Sequence, residues 1–332
     1  MANEIKINKR LKADFDLLRE DKLEIVGVFL HGSQNYGLDD EHSDIDTKAI
    51  VLPSLNNLAL GIGPVSYTRI LPTDEHIDVK DIRVMFQCFK KQNVSMLEIL
   101  FSDYCYINPE YEDIFKDIID NREMIAHWNM HDAVRCILGM MNEKNHALEH
   151  PYPVNKDEIE TYGYAAKQLH HIVRYKDFLE QYISGKSFKE CLSPKDPKML
   201  MQLKRTHDLS LHEARMLAIN TIDEAARIKN DFIKETMNLG NQGEVVRLFN
   251  YVTLRCIERA VYKDALKQQV KNNIERINMC NRCKNKGSIV IAGECGIADN
   301  LGCSLAQKAY EDGYYAGVSD GRIDAKEYYK TE

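Results

Sequence analysis

The segment at positions 29–50, FLHGSQNYGLDDEHSDIDTKAI, constrains the fold more than any other part of the 332-residue chain. An apolar run ends in His-Gly-Ser at 31–33, a polar turn follows, and the next apolar run opens on Asp-Ile-Asp at 44–46. Runs rich in Val, Ile and Phe that are bounded by turn residues are typical of buried strands. The segment therefore predicts two neighbouring strands joined by a polar turn.

The residue types in this turn suit phosphate and metal binding. Gly32 lets the backbone approach a ligand closely, and Ser33 can offer its hydroxyl and backbone N–H to phosphate at the start of a short helix. The two-residue period of a strand places Asp44 and Asp46 on one face while Ile45 points into the core. Two adjacent carboxylates are costly unless a cation neutralises them, and Mg²⁺ accepts carboxylates together with substrate phosphates. An ordinary turn without a ligand is the alternative, which the order of these elements disfavours.

A two-metal site takes a further carboxylate, which another strand has to supply. In HIDVKDI, at 76–82, alternation turns Ile77 and Val79 towards the core and Asp78 towards the other face. Asp78 is therefore the candidate for third ligand and for general base towards an acceptor hydroxyl. Asp81 competes for this role, but its place at the start of the following helix favours an N-cap.

The chain changes character near residue 125. Before it, a helical pattern at 10–21, strands at 24–31 and 47–53 and a hairpin at 65–82 predict an α+β unit with a small sheet. After it, long amphipathic patterns separated by Pro and Gly turns predict an all-helical region. We predict a catalytic domain at 1–125, a helical domain at 126–275 that binds nucleotide or acceptor, and a cysteine-containing segment at 276–332.

Composition excludes some classes of function. A net charge of −7 and a pI near 5.9 argue against non-specific coating of nucleic acid, which requires many Lys and Arg residues. No apolar stretch approaches the length of a membrane helix, and the N-terminus lacks the apolar region of a secretion signal. Nine cysteines, an odd number, favour reduced thiols over a disulfide framework. A cytoplasmic protein without a membrane partner is expected.

The last four cysteines are clustered as Cys280, Cys283, Cys295 and Cys303. Cys-x2-Cys is the usual half of a tetrahedral zinc site, and four thiolates could complete a structural Zn²⁺ site. The second pair is spaced more widely than is typical of zinc ligands, so reduced cysteines in a glycine-rich loop remain the alternative.

The Gly-Ser turn followed by Asp-x-Asp resembles the signature of the DNA polymerase β nucleotidyltransferase superfamily. The fuller string HGSQNYGL…SDIDTKAI, the later Asp78, and LEIL at 97–100 are similar to the RNA-repair-pathway DNA polymerase β family. The resemblance implies a polymerase-β-type catalytic domain, an NTP substrate, and two Mg²⁺ ions, or Mn²⁺, held by Asp44, Asp46 and Asp78.

The helical region contains a further group of candidates. Lys167, His171 and Arg174 recur at helical spacing and fall near one face. The resemblance implies that this helix packs over the cleft and contacts triphosphate or base; a solvated charged face is the alternative. Arg205 matches a later family arginine, but Thr206-His207 stand where the family has glycine, which leaves its contact open.

These features predict a metal-dependent nucleotidyltransferase that moves an NMP from an NTP to an acceptor hydroxyl. The resemblance implies an RNA acceptor, such as a tRNA-like 3′ end. Transfer to a protein or a small molecule is a second hypothesis, for which the acidic net charge is favourable. A non-catalytic, antitoxin-like protein is a third, which the three carboxylates disfavour because a scaffold has no need of their repulsion.

Overall fold

The computed structural model describes residues 2–40, 43–237 and 242–281. The chain divides into two compact units, residues 1–260 and 261–332. The described part of the second unit is helical up to Asn281. Sheet, core and candidate site all lie in the first unit.

The described residues form one five-stranded sheet with strand order β3-β4-β2-β1-β5. Strands β2 and β4 run parallel, and the other neighbours are antiparallel. The predicted strands and the β3–β4 hairpin are present, whereas the three-residue edge strand β5 carries too short a pattern to predict. The strands are β1 (Glu24–His31), β2 (Asp46–Leu52), β3 (Ser66–Ile70), β4 (His76–Asp81) and β5 (Cys105–Ile107).

Helices surround this sheet and dominate the chain after it, which confirms the predicted α+β class. Within the described ranges no helix combines the length and apolar character of a membrane span. Two 3₁₀ helices cover Ser33–Tyr36 and Glu98–Phe101. The α-helices are α1 (Ala2–Glu20), α2 (Leu55–Ala59), α3 (Ile82–Lys90), α4 (Val94–Leu97), α5 (Glu112–Asp120), α6 (Arg122–His127), α7 (Met130–Glu149), α8 (Lys156–Tyr162), α9 (Ala166–Ile183), α10 (Phe188–Leu192), α11 (Pro197–Arg205), α12 (Leu211–Glu235) and α13 (Gln242–Asn281).

The two faces of the sheet pack against different partners. Helix α1 covers one face, where Leu11 and Phe15 join a core with strand residues such as Val28 and Val79. The opposite face belongs to a larger core that runs without interruption into the helical region. This core includes Phe29, Ile50, Phe86, Phe115, Ile125, Leu169 and Ala218. The domain boundaries near 125 and 275 stay predictions.

The long helical pattern before residue 183 is interrupted at Gly163. This glycine has a φ of 84°, a left-handed conformation that disfavours other residues, and it caps the end of α8. Helix α9 therefore starts afresh at Ala166, whose N–H donates a 2.8 Å hydrogen bond to Glu158 Oε1. The break therefore makes Ala166 the first residue of α9.

Candidate active site

The turn after β1 has a strained start that only glycine tolerates well. Gly32 has a φ of 104°, while a Cβ placed there would meet nothing within 4 Å, so backbone conformation and not space requires glycine. Its N–H donates to Glu98 Oε1 at 2.9 Å. Within the described residues, the N–H and hydroxyl of Ser33 donate no hydrogen bond. Gly32 thus shapes the turn, and Ser33 carries the free donors.

Two buried charged residues, Glu98 and Arg174, pack against this turn. Glu98 is 2% exposed, and burial raises the pKa of its carboxyl, against the lowering effect of Arg174 and of the hydrogen bond from Gly32. Arg174 is 5% exposed, with its guanidinium carbon 3.6 Å from the centre of the Tyr36 ring, a distance suited to cation–π attraction. Arg174 on α9 therefore stabilises the 3₁₀ turn through Tyr36 and attracts the buried carboxylate of Glu98.

The acid pair lies at the entrance to β2. Asp46 is the first strand residue, whereas Asp44 lies in the connection before it, so the predicted strand starts later than the sequence suggests. Ile45 between them is 2% exposed, as predicted for a core position. Asp46 Oδ1 accepts the His76 N–H at 3.0 Å and contacts His76 Nδ1 at 3.3 Å. Among the described residues, neither Asp46 Oδ2 nor the Asp44 carboxylate has a hydrogen-bond or ion-pair partner.

Asp78 lies on the predicted face but is engaged by two lysines. The parallel register places Asp78 beside Lys48, which is 5% exposed, and His76 is the β4 residue in contact with Asp46. The distances are 3.3 Å from Lys48 Nζ to Asp78 Oδ2 and 3.0 Å from Lys80 Nζ to Asp78 Oδ1. Asp81 caps α3 by accepting the N–H of Arg83, which confirms its predicted N-cap role.

A cavity of ≈ 220 Å³ opens between this edge of the sheet and two helices. Of the predicted site residues, it brings together Gly32, Ser33, Asp44, Asp46, Lys167 and His171. Asp78 and Arg174 are outside its lining. Its other lining residues are His31, Tyr36, Ser43, His170, Lys204 and Arg205. The carboxylates line the cavity from the entrance to β2, its acidic wall, and the cationic side chains line it from α9 and α11, its cationic wall.

Helix α11 supplies part of the cationic wall. Lys204 Nζ donates to the carbonyl of Leu38 at 2.8 Å, and Arg205 makes a two-bond ion pair with Asp40 at 2.6 and 2.5 Å. These contacts tie the end of α11 to the chain between the Gly-Ser turn and the acid pair. Burial lowers the pKa of Lys204.

The cavity histidines are held uncharged. Burial lowers the pKa of His31 and of His171 well below the usual value, and the cations Lys48 and Arg174 respectively add to these shifts. Burial also lowers the pKa of His170 to about 4, although His170 Nδ1 lies 2.8 Å from the carbonyl of Leu200. The positive charge of the cavity therefore comes from its Lys and Arg side chains.

The oxygen donors of the cavity fit a metal ion whose coordination is completed by the substrate. In the part of the chain that the structure describes, no group of three His, Cys, Asp or Glu side chains could hold a metal alone. Mg²⁺ commonly takes one or two carboxylates and fills its remaining positions with water and substrate phosphates. Asp44 and Asp46, with oxygens open to the cavity, satisfy that requirement.

Of the four predicted zinc ligands, only Cys280 lies within the described residues. Cys283, Cys295 and Cys303 lie outside the described residues, and Cys280 belongs to the last turn of α13. The zinc site stays a prediction. Where side chains are described, cysteines are unpaired thiols, as predicted: Cys88, Cys105, Cys136, Cys191 and Cys256.

The sequence profile of the RNA repair pathway DNA polymerase beta family matches residues 7–176, slightly more than half of the chain. The chain belongs to this family. Membership indicates a polymerase-β-like nucleotidyltransferase with a nucleotide substrate. Curated proteins give no match to the chain.

The family match contains every predicted site residue up to Arg174 but ends before α11. The resemblance reaches Arg205 only through a turn in which Thr206-His207 replace the usual glycine, and no sequence motif indicates Lys204. Their only local signal is two adjacent cations at the end of a helix, which is common on solvated surfaces. The long-range contact with the Leu38–Asp40 segment is what places them in the cavity.

Proposed function

We propose that this protein is a metal-dependent nucleotidyltransferase that transfers an NMP from an NTP to an acceptor hydroxyl. One observation carries the proposal: the Asp44 carboxylate and the unpartnered Oδ2 of Asp46 line the same cavity as the cations Lys167, Lys204 and Arg205. A divalent cation with a polyphosphate has the complementary charge pattern. Family membership supports the same reaction class.

Each wall has a distinct role in this proposal. Asp44 and Asp46 would hold Mg²⁺ or Mn²⁺, which supplies neutralisation of phosphate charge and a template for substrate. Ser33 donates its N–H and hydroxyl to phosphate oxygens, and Lys167 and Lys204 bind the remaining polyphosphate charge. The uncharged His171 adds a hydrogen-bonding group to the nucleotide site. Arg174 acts through Tyr36, whose 3₁₀ turn it supports.

Asp78 is the proposed third carboxylate and the base for the acceptor hydroxyl. Lys48 and Lys80 both form ion pairs with it, on the same sheet face as Asp46. A carboxylate that exchanges one lysine for an acceptor hydroxyl remains charge-balanced by the other lysine. An RNA 3′ end is the proposed acceptor, in keeping with the family description. The net charge of −7 favours instead a protein or small-molecule acceptor.

Parallel assays distinguish these acceptors. The protein is incubated with each α-labelled NTP and Mg²⁺ or Mn²⁺, with total RNA, single-stranded DNA, or a protein extract as acceptor. Metal-dependent label on RNA is the expected result. Label on protein would redirect the proposal to the second acceptor class, and absence of label on any acceptor with every NTP would contradict nucleotidyl transfer.

Replacing Lys204 by methionine is expected to weaken NTP binding. The variant keeps most of the aliphatic stem but loses a charged donor, and a hydrogen bond to a charged group is worth about 1.5–3 kcal/mol, or roughly 10–100-fold in affinity. Steady-state kinetics should show this change in the KM for NTP with a smaller change in kcat.

Lys198→Met is the matched control, because Lys198 lies on the same helix but is exposed and away from the cavity. It should keep the wild-type KM. An unchanged KM in Lys204→Met, with both variants equally folded by circular dichroism, would remove Lys204 from the phosphate site.

A further inference from the structure

A network of charged side chains lies behind the acid pair, on the sheet face covered by α1. Arg10 Nε donates to Asp14 Oδ1 at 2.7 Å, and Arg10 Nη1 pairs with Glu75 Oε2. The Thr47 hydroxyl donates to Asp14 Oδ2 at 2.7 Å. The side chains of Arg10, Asp14 and Glu75 are 11%, 2% and 19% exposed. Charge-assisted hydrogen bonds in such poorly solvated surroundings hold their partners firmly.

The network contacts the residues on either side of Asp46. Glu75 Oε1 accepts the N–H of Ile45 at 3.2 Å, and Asp14 holds the side chain of Thr47. Ile45 and Thr47 flank Asp46 along the chain. Because side chains alternate along a strand, fixing these two neighbours from behind fixes the direction of Asp46 towards the cavity.

Glu75 also controls the other contact of Asp46. It directly precedes His76, whose N–H donates to Asp46 Oδ1. Thr73 donates a further 2.8 Å hydrogen bond to Glu75 Oε2, so this carboxylate ties together the turn before β4 and the start of β2. Arg10 is the cation that the Glu75 and Asp14 carboxylates share.

We propose that Arg10 is a positioning residue for the metal-binding acid pair, acting through Glu75 and Asp14. The inference rests on the proposed function, because it assumes that Asp44 and Asp46 bind the divalent ion. Groups that orient metal ligands typically change metal affinity by about 10–100-fold when they are removed. Helix α1 thus contributes to metal binding without any residue at the cavity.

Binding of Mn²⁺ together with a non-hydrolysable NTP analogue, followed in the Mn²⁺ electron paramagnetic resonance spectrum, tests this directly and without turnover, because substrate phosphates complete the coordination of the ion. Arg10→Met retains an aliphatic stem of similar length and is expected to raise the Kd for Mn²⁺ by about 10–100-fold. Glu75→Gln keeps the Oε1 acceptor for Ile45 but loses the charge that Arg10 holds, and should raise the Kd in the same direction. Should Arg10→Met fail to fold, Glu75→Gln alone decides.

Lys12→Met is the matched control, because it removes an exposed ion pair with Asp16 on the same helix. It should leave the Kd for Mn²⁺ unchanged. A purely structural role of Arg10 would lower the melting temperature while the Kd of the folded protein stayed within twofold of wild type, and that result would overturn the inference.

Asp46→Asn in the same titration separates this inference from the proposed function. If wild type binds Mn²⁺ and Asp46→Asn does not, the metal assignment stands and the Arg10 and Glu75 variants decide the inference alone. If Asp46→Asn binds Mn²⁺ as tightly as wild type, or wild type binds none, the metal assignment fails and the positioning role fails with it.

Discussion

Replacing Asp46 by asparagine is expected to reduce nucleotidyl transfer by on the order of 10³-fold while the protein stays folded, since loss of one group that stabilises developing charge has effects of this size. Asparagine keeps a carbonyl oxygen that can accept the His76 N–H, as Asp46 Oδ1 does at 3.0 Å. It lacks the negative charge that a divalent ion requires. Asp44→Asn should act in the same direction.

Single-turnover rates at saturating NTP and Mg²⁺ provide the measurement, with thermal unfolding recorded for each variant. Asp103→Asn is the control, because Asp103 forms an exposed surface ion pair with Lys189 and lies away from the cavity lining. It should react at the wild-type rate. If Asp44→Asn and Asp46→Asn both retained transfer within tenfold of wild type, the two carboxylates would not be the metal ligands.

The strands and caps around the acid pair follow from short-range pattern alone. The alternation in HIDVKDI correctly places Ile77 and Val79 in the core, both with 0% exposure, and Asp78 on the opposite face. Asp81 caps the next helix as predicted. Such properties depend on neighbours only a few residues apart, so a single sequence contains them.

The cationic wall depends on contacts that no local pattern encodes. Arg205 and Asp40 are 165 residues apart, and the surface character of α11 gives no sign that its end folds back on that loop. The sequence also does not show which side chains of α9 reach the cavity. Spacing places Lys167 and Arg174 near one face of α9, yet Lys167 lines the cavity while Arg174 packs against the ring of Tyr36. Which of two helical neighbours reaches a ligand is decided by packing against the turn.

The sequence also placed both acids inside a strand, whereas only Asp46 belongs to β2. The difference arises because Glu75 from the turn before β4 takes the N–H of Ile45, which ends regular pairing at that point. A side chain from a distant turn thereby sets the start of the strand.

Acidification is expected to destabilise the protein through its cavity histidines, whose pKa values are lowered in the folded state. For a histidine whose folded pKa is lowered, the unfolded chain binds the proton first, so stability is lost as the pH falls below about 6.5 towards the folded pKa. His170, with a pKa of about 4 and 2% exposure, defines the window from pH 6.5 to about 4. His31 and His171 act in the same direction.

Two buried carboxyls oppose this trend. Burial raises the pKa of Asp14 and of Glu98, so the folded protein binds their protons more readily than the unfolded chain does. Their stabilising contribution is present at low pH and is lost as the pH rises through their folded pKa values. The net slope for wild type is therefore smaller than the histidines alone would give, and single variants are needed to separate the groups.

The substitution His170→Asn removes the proton that His170 would gain on unfolding, and so measures the contribution of this one histidine. Asparagine can donate to the Leu200 carbonyl as His170 Nδ1 does, but it has no proton to gain on unfolding. Between pH 6 and 5, the free energy of unfolding of wild type should fall more steeply than that of the variant by about 1 kcal/mol per pH unit, because the unfolded chain binds nearly one more proton than the folded protein in this range. Urea titrations at pH 7, 6 and 5 measure this difference, whatever constant offset the substitution causes.

His212→Asn removes an exposed histidine at the start of α12 and serves as the control, with a wild-type slope expected. Equal slopes for wild type and His170→Asn would show that His170 is protonated alike in both states and is not held neutral by burial. Because His170 lines the same cavity as Lys167 and Lys204, a confirmed slope would show that the folded cavity binds this proton less readily than the unfolded chain does, which links the loss of stability in acid to the site itself.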